Sequence, residues 1–282
     1  MMFFANLAVT SFLIWNVGIA SNQTPITNPR IGAIANVIYT QNPDICVLQD
    51  AFGLNISQYF ILALFPEYNV QIYTLQERGD DDITCISYCV LIKKYLLNIY
   101  VEPVEIGNTR NALLISVSGI KILVAYLEYA DHKARYEQLR YILSYNVDIL
   151  CGDLNTFFRD VRREYFGNPL KILNHWKQIG LYICSKQVRN MHVSRRVLSD
   201  HKWIMMSKNQ YSFPLPFFWK TFLRTPLLKR TEWIWKVIFN DPVLDPDNVL
   251  VKNPYILSST VSIITKVIIK KASDHGAIHF EI

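Results

Sequence analysis

The sequence predicts an α/β fold, on three observations. Residues 8–50 run strand, helix, strand, which makes a βαβ unit. The stretch 61–142 reads largely as strands, with a helix and further strands after it. No internal repeat and no Gly/Ser-rich linker interrupts the 282 residues, so a single domain over 1–282 is expected. The composition agrees: 51% of residues are hydrophobic, 13% aromatic and 18% charged, against a usual charged share of roughly 25%. A chain this apolar buries a core and is not a disordered one. With only 10 glycines and 12 prolines it is no collagen-like or linker chain either.

The first strand is expected over 8–17, an almost continuous apolar run of the kind covered on both faces. The first charge of the chain is Arg30, so residues 1–20 also resemble a leader or an anchor. They lack a positive n-region, and Asn6, Thr10, Ser11 and Asn16 break the run, which favours the strand. With no convincing signal peptide, an intracellular location, cytoplasmic or nuclear, is expected. Asn28-Pro29 has the form of an N-cap with proline at the first helical position. Ile31, Ile34, Ala35 and Ile38 then recur at helical spacing and stop before Asn42-Pro43. The next strand, Asp44-Ile45-Cys46-Val47-Leu48-Gln49-Asp50, ends on polar side chains.

Strands are then expected at 68–73, 85–92, 112–117 and 122–127, with Ser118-Gly119 as a hairpin signal between the last two. Gly79-Asp80-Asp81-Asp82 reads as a solvated turn rather than a metal loop. A helix follows with Tyr136, Leu139, Ile142 and Leu143 on one face, then a strand at 148–151. Residues 176–183 hold a helix end and a strand separated at Gly180, and two or three strands close the chain over 249–282. Most of the 5 cysteines (Cys46, Cys85, Cys89, Cys151, Cys184) sit in apolar runs and read as buried thiols of a reducing compartment. No second close pair or His pair completes a zinc set around Cys85 and Cys89.

Residues 203–240 stand apart as an insertion. Trp203, Trp219, Trp233 and Trp235 alternate there with Phe213, Phe217, Phe218 and Phe222, and with Lys220, Arg224, Lys229, Arg230 and Lys236. Pro214, Pro216 and Pro226 break any long helix. Three readings stand: a lid packed on the body, a strand-stacking nucleic-acid surface, or a membrane-interface segment. The net charge of +6 suits a nucleic-acid phosphodiester and an anionic lipid alike.

Four polar clusters follow apolar runs and carry the candidate chemistry: Trp15-Asn16, Gln49-Asp50, Gly152-Asp153-Leu154-Asn155 and Ser273-Asp274-His275. Acidic and amide side chains leaving buried strands on one edge are unfavourable unless they hold a hard cation. Few, carboxylate-rich oxygen ligands suit Mg²⁺, with Mn²⁺ as the alternative. A histidine beside such a carboxylate can do proton or charge work on a phosphoryl group.

Taken in order along the chain, these clusters resemble the endonuclease/exonuclease/phosphatase superfamily, the DNase I-like enzymes. Val124-Ala125-Tyr126-Leu127-Glu128 followed by Arg135 and Gln138 is similar to the family's "THLE…R..Q" segment. The resemblance touches about 10–183 and 245–282 and says nothing of 203–240. It implies a four-layer sandwich of two stacked mixed β-sheets flanked by helices, and a Mg²⁺-dependent phosphodiesterase. By position, Asn16 would contact the scissile phosphate or the metal, Asp50 would be the metal carboxylate, and Asp274 would assist the metal. Asp153 would orient or deprotonate the attacking water, Asn155 would position the phosphate, and His275 would stabilise the transition state or donate a proton. Asp247, with Asp245 as the nearby alternative, matches the family's aspartate that orients this histidine. All are expected in one solvated cleft.

The chain departs from the pattern twice. The family's metal ligand is usually glutamate, and Asp50 is one methylene shorter. At the family's "TH" histidine stands Tyr126, as in exonuclease III-like and abasic-site members, which leans towards a nuclease. Ser199-Asp200-His201 repeats the terminal tripeptide, but it precedes Asp247, and no closing strand is expected after it, so it is expected outside the cleft. The expected substrate and partner is nucleic acid, met by a monomer. The alternatives are a sphingomyelinase-like lipid phosphodiesterase that meets a membrane surface through 203–240, and an inactive binding module of the same fold.

Overall fold

The computed structural model describes residues 9–18, 29–51, 63–76, 86–107, 110–128, 131–156, 195–206, 247–259, 261–264 and 276–282. In chain order its elements are β1 (Ser11–Asn16), α1 (Pro29–Gln41), β2 (Ile45–Gln49), β3 (Tyr68–Gln76), β4 (Ile86–Lys93), β5 (Tyr100–Glu105), β6 (Asn111–Val117) and β7 (Ile120–Val124). Then come α2 (His132–Leu143), β8 (Ile149–Asp153), α3 (Arg195–Asp200), β9 (Ile204–Met205), β10 (Asp247–Val251), β11 (Ser262–Ile264) and β12 (Ala277–Glu281). They fall into two compact units, one of Met1–Val101, Ser116–Ser118 and Asn253–Ile282, the other of Glu102–Ile115 and Gly119–Lys252. Two mixed sheets result, ordered β11-β12-β1-β2-β4-β3 and β5-β6-β7-β8-β10-β9.

The first unit opens with the expected βαβ. β1 and β2 run parallel, from Phe12 opposite Ile45 to Asn16 opposite Gln49, and every residue of β2 is buried. That is why both read as unbroken apolar sequence. Ile31, Ile34, Ala35 and Ile38 of α1 join Leu13, Trp15, Cys46, Leu48, Cys89 and Leu91 in one core. The helix stops at Asn42: its N–H still reaches the Ile38 carbonyl at 2.8 Å, and its left-handed backbone (φ 46°) turns the following chain away.

The Asp44 carboxylate ties this sheet together. One oxygen accepts from the Ser11 N–H and hydroxyl, both at 2.8 Å, and the other accepts from the Tyr95 hydroxyl. Asp44→Ala removes these bonds to a charged group, so it should cost about 1.5–3 kcal/mol, read as the shift in a denaturant melt. A shift within error of zero would deny the tie its role.

His279 on β12 faces Leu13 and Ser262 across the strands. Burial lowers its pKa, while Glu281 pushes it back up. Because the unfolded chain takes the proton more readily, stability is full above about pH 6.5 and declines as pH falls below it. His279→Gln should remove part of that slope between pH 7 and 5; an unchanged slope would contradict it.

In the second unit, Ser118 (φ 51°) and Gly119 (φ 82°) form the two-residue turn between β6 and β7, as the hairpin signal predicts. β7, α2 and β8 make a second βαβ, with Ile122 opposite Ile149. Asp131 caps α2 by accepting from the N–H groups of Lys133 and Ala134. Leu139, Ile142 and Leu143 pack with Leu123, Leu150 and Leu250, as expected, but Tyr136 is 42% exposed. The buried face takes Arg135 and Gln138 instead, because each finds polar partners described below. A second correction concerns Ser199-Asp200-His201: a strand does follow it, the two-residue β9 at the edge beside β10. The sequence also did not single out β5, whose Pro103 is tolerated at a sheet edge.

Cys46, Cys89 and Cys151 are free and buried, and burial pushes the Cys89 thiol up to about 12. No helix among the described residues is long and apolar enough to cross a membrane. The expectations for 79–82, for 176–183 and for 203–240 beyond Met206 fall outside the described residues, as do Asp245, Asp274 and His275.

Candidate active site

In the second unit, the last residue of β8 and the first of β10 are both aspartates. Asp153 and Asp247 are direct partners across this antiparallel pair. Side chains so placed emerge on one face with Cβ atoms about 4.5–5.5 Å apart. Both residues are buried, at 1% and 3% exposure, and so is Asn155 at 6%. These groups are thus buried, contrary to the solvated setting expected from the sequence.

The chain between them is fixed by hydrogen bonds. Gly152 holds φ 116°, a value that side-chain-bearing residues rarely adopt, just before Asp153. Asn155 then takes a left-handed backbone (φ 46°), and its N–H donates to Asp153 Oδ1 at 3.0 Å. Its carboxamide Nδ2 donates to the Leu127 carbonyl at 3.0 Å, and the Leu127 N–H donates to the Asp153 carbonyl at 3.1 Å. Asn248, paired with Gly152, donates from Nδ2 to the Thr156 carbonyl at 3.3 Å. The Asp153-Leu154-Asn155 turn is therefore held by the segment Tyr126-Leu127-Glu128 on one side and by Asn248 on the other.

That segment is itself gripped by side chains. Arg135 Nη1 donates to the Glu128 carbonyl at 2.9 Å, and the Glu128 N–H donates to Gln138 Oε1 at 2.9 Å. Gln138 Nε2 donates to the Gly107 carbonyl at 3.2 Å. This explains the spacing of Glu128, Arg135 and Gln138 noted in the sequence: α2 turns Arg135 and Gln138 onto this one segment, a rail beside the turn. Burial lowers the Arg135 pKa, and Glu128, Asp153 and Asp131 partly restore it. Arg110 grips the same segment through the Tyr126 carbonyl and the Glu128 carboxylate, at 3.2 and 2.7 Å.

In the first unit the polar ends of β1 and β2 lie side by side. Asn16, 2% exposed, pairs with Gln49, and its Oδ1 accepts from the Gly18 N–H at 3.0 Å. Asp50 follows Gln49 with a left-handed backbone (φ 49°) and is half-buried. Its neighbour Ala51 is fixed twice by Ser87, through a 3.2 Å bond from its N–H and through the Ser87 hydroxyl. β12 begins with Ala277 opposite Trp15, next to Asn16.

So Asp153, Asn155, Asp247 and, through the rail, Tyr126 come together in the second unit, and Asn16 and Asp50 in the first. Asp200-His201 lie before Ile204, which pairs with Val251, at the end of β10 far from Asp247. The sequence did not flag Arg110 or Asn248. The available signals were a lone arginine opening an apolar strand run and an amide beside the Asp247 carboxylate.

Among the described residues, no group of three or more His, Cys, Asp or Glu is gathered as for a metal. The donors at the ends of β1 and β2 are an amide oxygen and a carboxylate. An all-oxygen set with few protein ligands fits Mg²⁺, which keeps several waters.

No protein-family sequence model matches the chain, and no curated protein matches it in sequence. Solved structures do match in fold. The chain is similar to an AP endonuclease from Archaeoglobus fulgidus, with TM-score 0.54, 13% identity, and 96% of this chain and 98% of that one covered. A 3′ phosphatase, NExo, from Neisseria, bound to a product DNA hairpin, gives TM-score 0.52 at 13% identity over 97% and 99% of the two chains. An endonuclease/exonuclease/phosphatase from Beutenbergia cavernae gives 0.51 at 17% identity, over 97% of this chain and 71% of that one. With two mixed six-stranded sheets among the described residues and matches over nearly its whole length, the chain has the α/β DNase I-like fold of the endonuclease/exonuclease/phosphatase superfamily.

Proposed function

We propose that the chain, acting as one domain, is a metal-dependent phosphodiesterase that hydrolyses nucleic acid. One observation carries this reading: two aspartates, Asp153 and Asp247, are paired at the ends of buried strands of a DNase I-like fold, with the Asn155 carboxamide fixed beside them. Burying two acidic groups opposite each other costs stability, and a reaction that needs a carboxylate base explains why the chain carries them. The Neisseria 3′ phosphatase of this fold, bound to a DNA hairpin, supports nucleic acid as the substrate class.

In this reading Asp153 takes the proton of the attacking water as the oxygen bonds to phosphorus. The bond from phosphorus to the leaving oxygen breaks in line, and His275 would give that oxygen its proton. Asn155 spends one N–H on Leu127 and offers the other to a phosphate oxygen. Tyr126 stands at the edge of the same rail. Asp50, Asn16 and Asp274 would hold Mg²⁺ or Mn²⁺, which supplies charge stabilisation on the phosphoryl oxygens when bound.

The test is a substrate panel of DNA, RNA, sphingomyelin and a simple phosphodiester, each with Mg²⁺ and with a chelator. Chelator-sensitive cleavage of DNA or RNA is expected. Preference for sphingomyelin would transfer the site to a lipid substrate. No turnover of any of the four would leave a binding module.

A further inference from the structure

The guanidinium of Arg110 is spent in an unusual way. Arg110 stands just before β6, where its N–H reaches the Gly107 carbonyl at 3.3 Å and the Ile106 N–H reaches its carbonyl at 3.0 Å. From there Nη1 donates to the Tyr126 carbonyl at 3.2 Å, and Nη2 pairs with the Glu128 carboxylate at 2.7 Å. The guanidinium carbon stands 5.4 Å over the Tyr126 ring. The side chains of the ion pair are only 5% and 17% exposed, so both charges are largely out of water. Yet Nε is buried with no hydrogen-bond partner among the described residues. A buried arginine placed for stability alone saturates its donors. This one is aimed at two acceptors, on the residues before and after Leu127.

Leu127 is the residue on which the reacting turn hangs. Its carbonyl accepts the Asn155 carboxamide, and its N–H holds the Asp153 carbonyl. We propose that Arg110 is a positioning residue, which clamps Tyr126 and Glu128 so that the Leu127 carbonyl between them sets the direction of the Asn155 carboxamide. This rests on the phosphodiesterase reading, in which that carboxamide binds the phosphate. Lysine cannot replace Arg110, because a single ammonium lacks the fork that spans both acceptors.

The test uses Arg110→Lys in the full chain, read in two ways. The first is hydrogen exchange of the Asn155 carboxamide protons, followed by NMR and assigned with Asn155→Asp. It should speed up about tenfold while the unfolding midpoint stays cooperative. The second is cleavage of a DNA oligonucleotide with Mg²⁺. There kcat should fall by about 10–100-fold with KM little changed, the loss expected of a group misplaced by about an ångström. If Arg110→Lys does not fold, the pair Arg110→Gln with Glu128→Gln takes its place, since it removes both buried charges and leaves neither alone. Unchanged carboxamide exchange in a folded variant overturns the clamp. So does a kcat equal to wild type in an active enzyme. If the wild type cleaves nothing, the phosphodiesterase reading fails, and the exchange measurement still decides whether Arg110 aims Asn155.

Discussion

Asp153→Asn is expected to slow phosphodiester hydrolysis by about 100-fold or more, the usual loss when a catalytic base is removed. His275→Ala should do the same. The two differ in what they leave standing. Asparagine keeps the shape of Asp153 and an oxygen that can accept the Asn155 N–H, so the turn survives. It also removes one of two acidic groups that face each other across β8 and β10, an opposition that destabilises a sheet. The thermal midpoint of Asp153→Asn should therefore equal or exceed that of wild type even as activity falls. That combination separates a residue retained for chemistry from one retained for folding. A variant that loses its midpoint and its activity together, or keeps near wild-type turnover, would place the chemistry elsewhere.

The second large effect concerns Asp50. Asp50→Ala should abolish both the metal dependence and the rate. Asp50→Glu should keep or raise activity and lower the metal concentration needed for half-maximal rate, with a larger gain for Mg²⁺ than for Mn²⁺, since Mg²⁺ demands nearly ideal geometry. The backbone adds a cost. Asp50 sits at φ 49°, a left-handed conformation that aspartate tolerates better than longer side chains. Glutamate should thus trade reach for a loss of stability of up to about 1–2 kcal/mol. This conformation gives a physical reason for the shorter carboxylate here. Metal titration of hydrolysis for wild type and both variants, paired with thermal melts, reads both halves. If Asp50→Ala keeps the wild-type metal dependence, Asp50 is not the ligand.

Much of this was legible in the sequence where burial is uniform. β1 and β2 are covered on both faces, so their apolar runs gave them away, and Asn28-Pro29 marked where α1 begins. Ser118-Gly119 marked a turn that only left-handed residues can make. Most of the misreadings share one cause: partners distant in the chain. Tyr136 was assigned to the core because nothing local says that Arg135 and Gln138 find Glu128 and Gly107 inside. Arg110 grips residues 16 and 18 positions away, and Asp44 ties Ser11 from 33 positions away, so neither shows as a periodicity. β9 is two residues long and has no pattern to read. The site divides in the same way. The order of its polar clusters suggested the superfamily, but the facing of Asp153 and Asp247 is a matter of strand register, and their burial a matter of packing.

The central claim is that water attacks phosphorus at a site built on Asp153. Cleavage of a DNA oligonucleotide in ¹⁸O-labelled water with Mg²⁺ tests it most directly, with the products analysed by mass spectrometry. Wild type should place a single ¹⁸O on the phosphate end of the new terminus and none on the sugar hydroxyl, while Asp153→Asn yields almost no labelled product in the same time. Label on the sugar oxygen, or equal labelling by the two proteins, would contradict it.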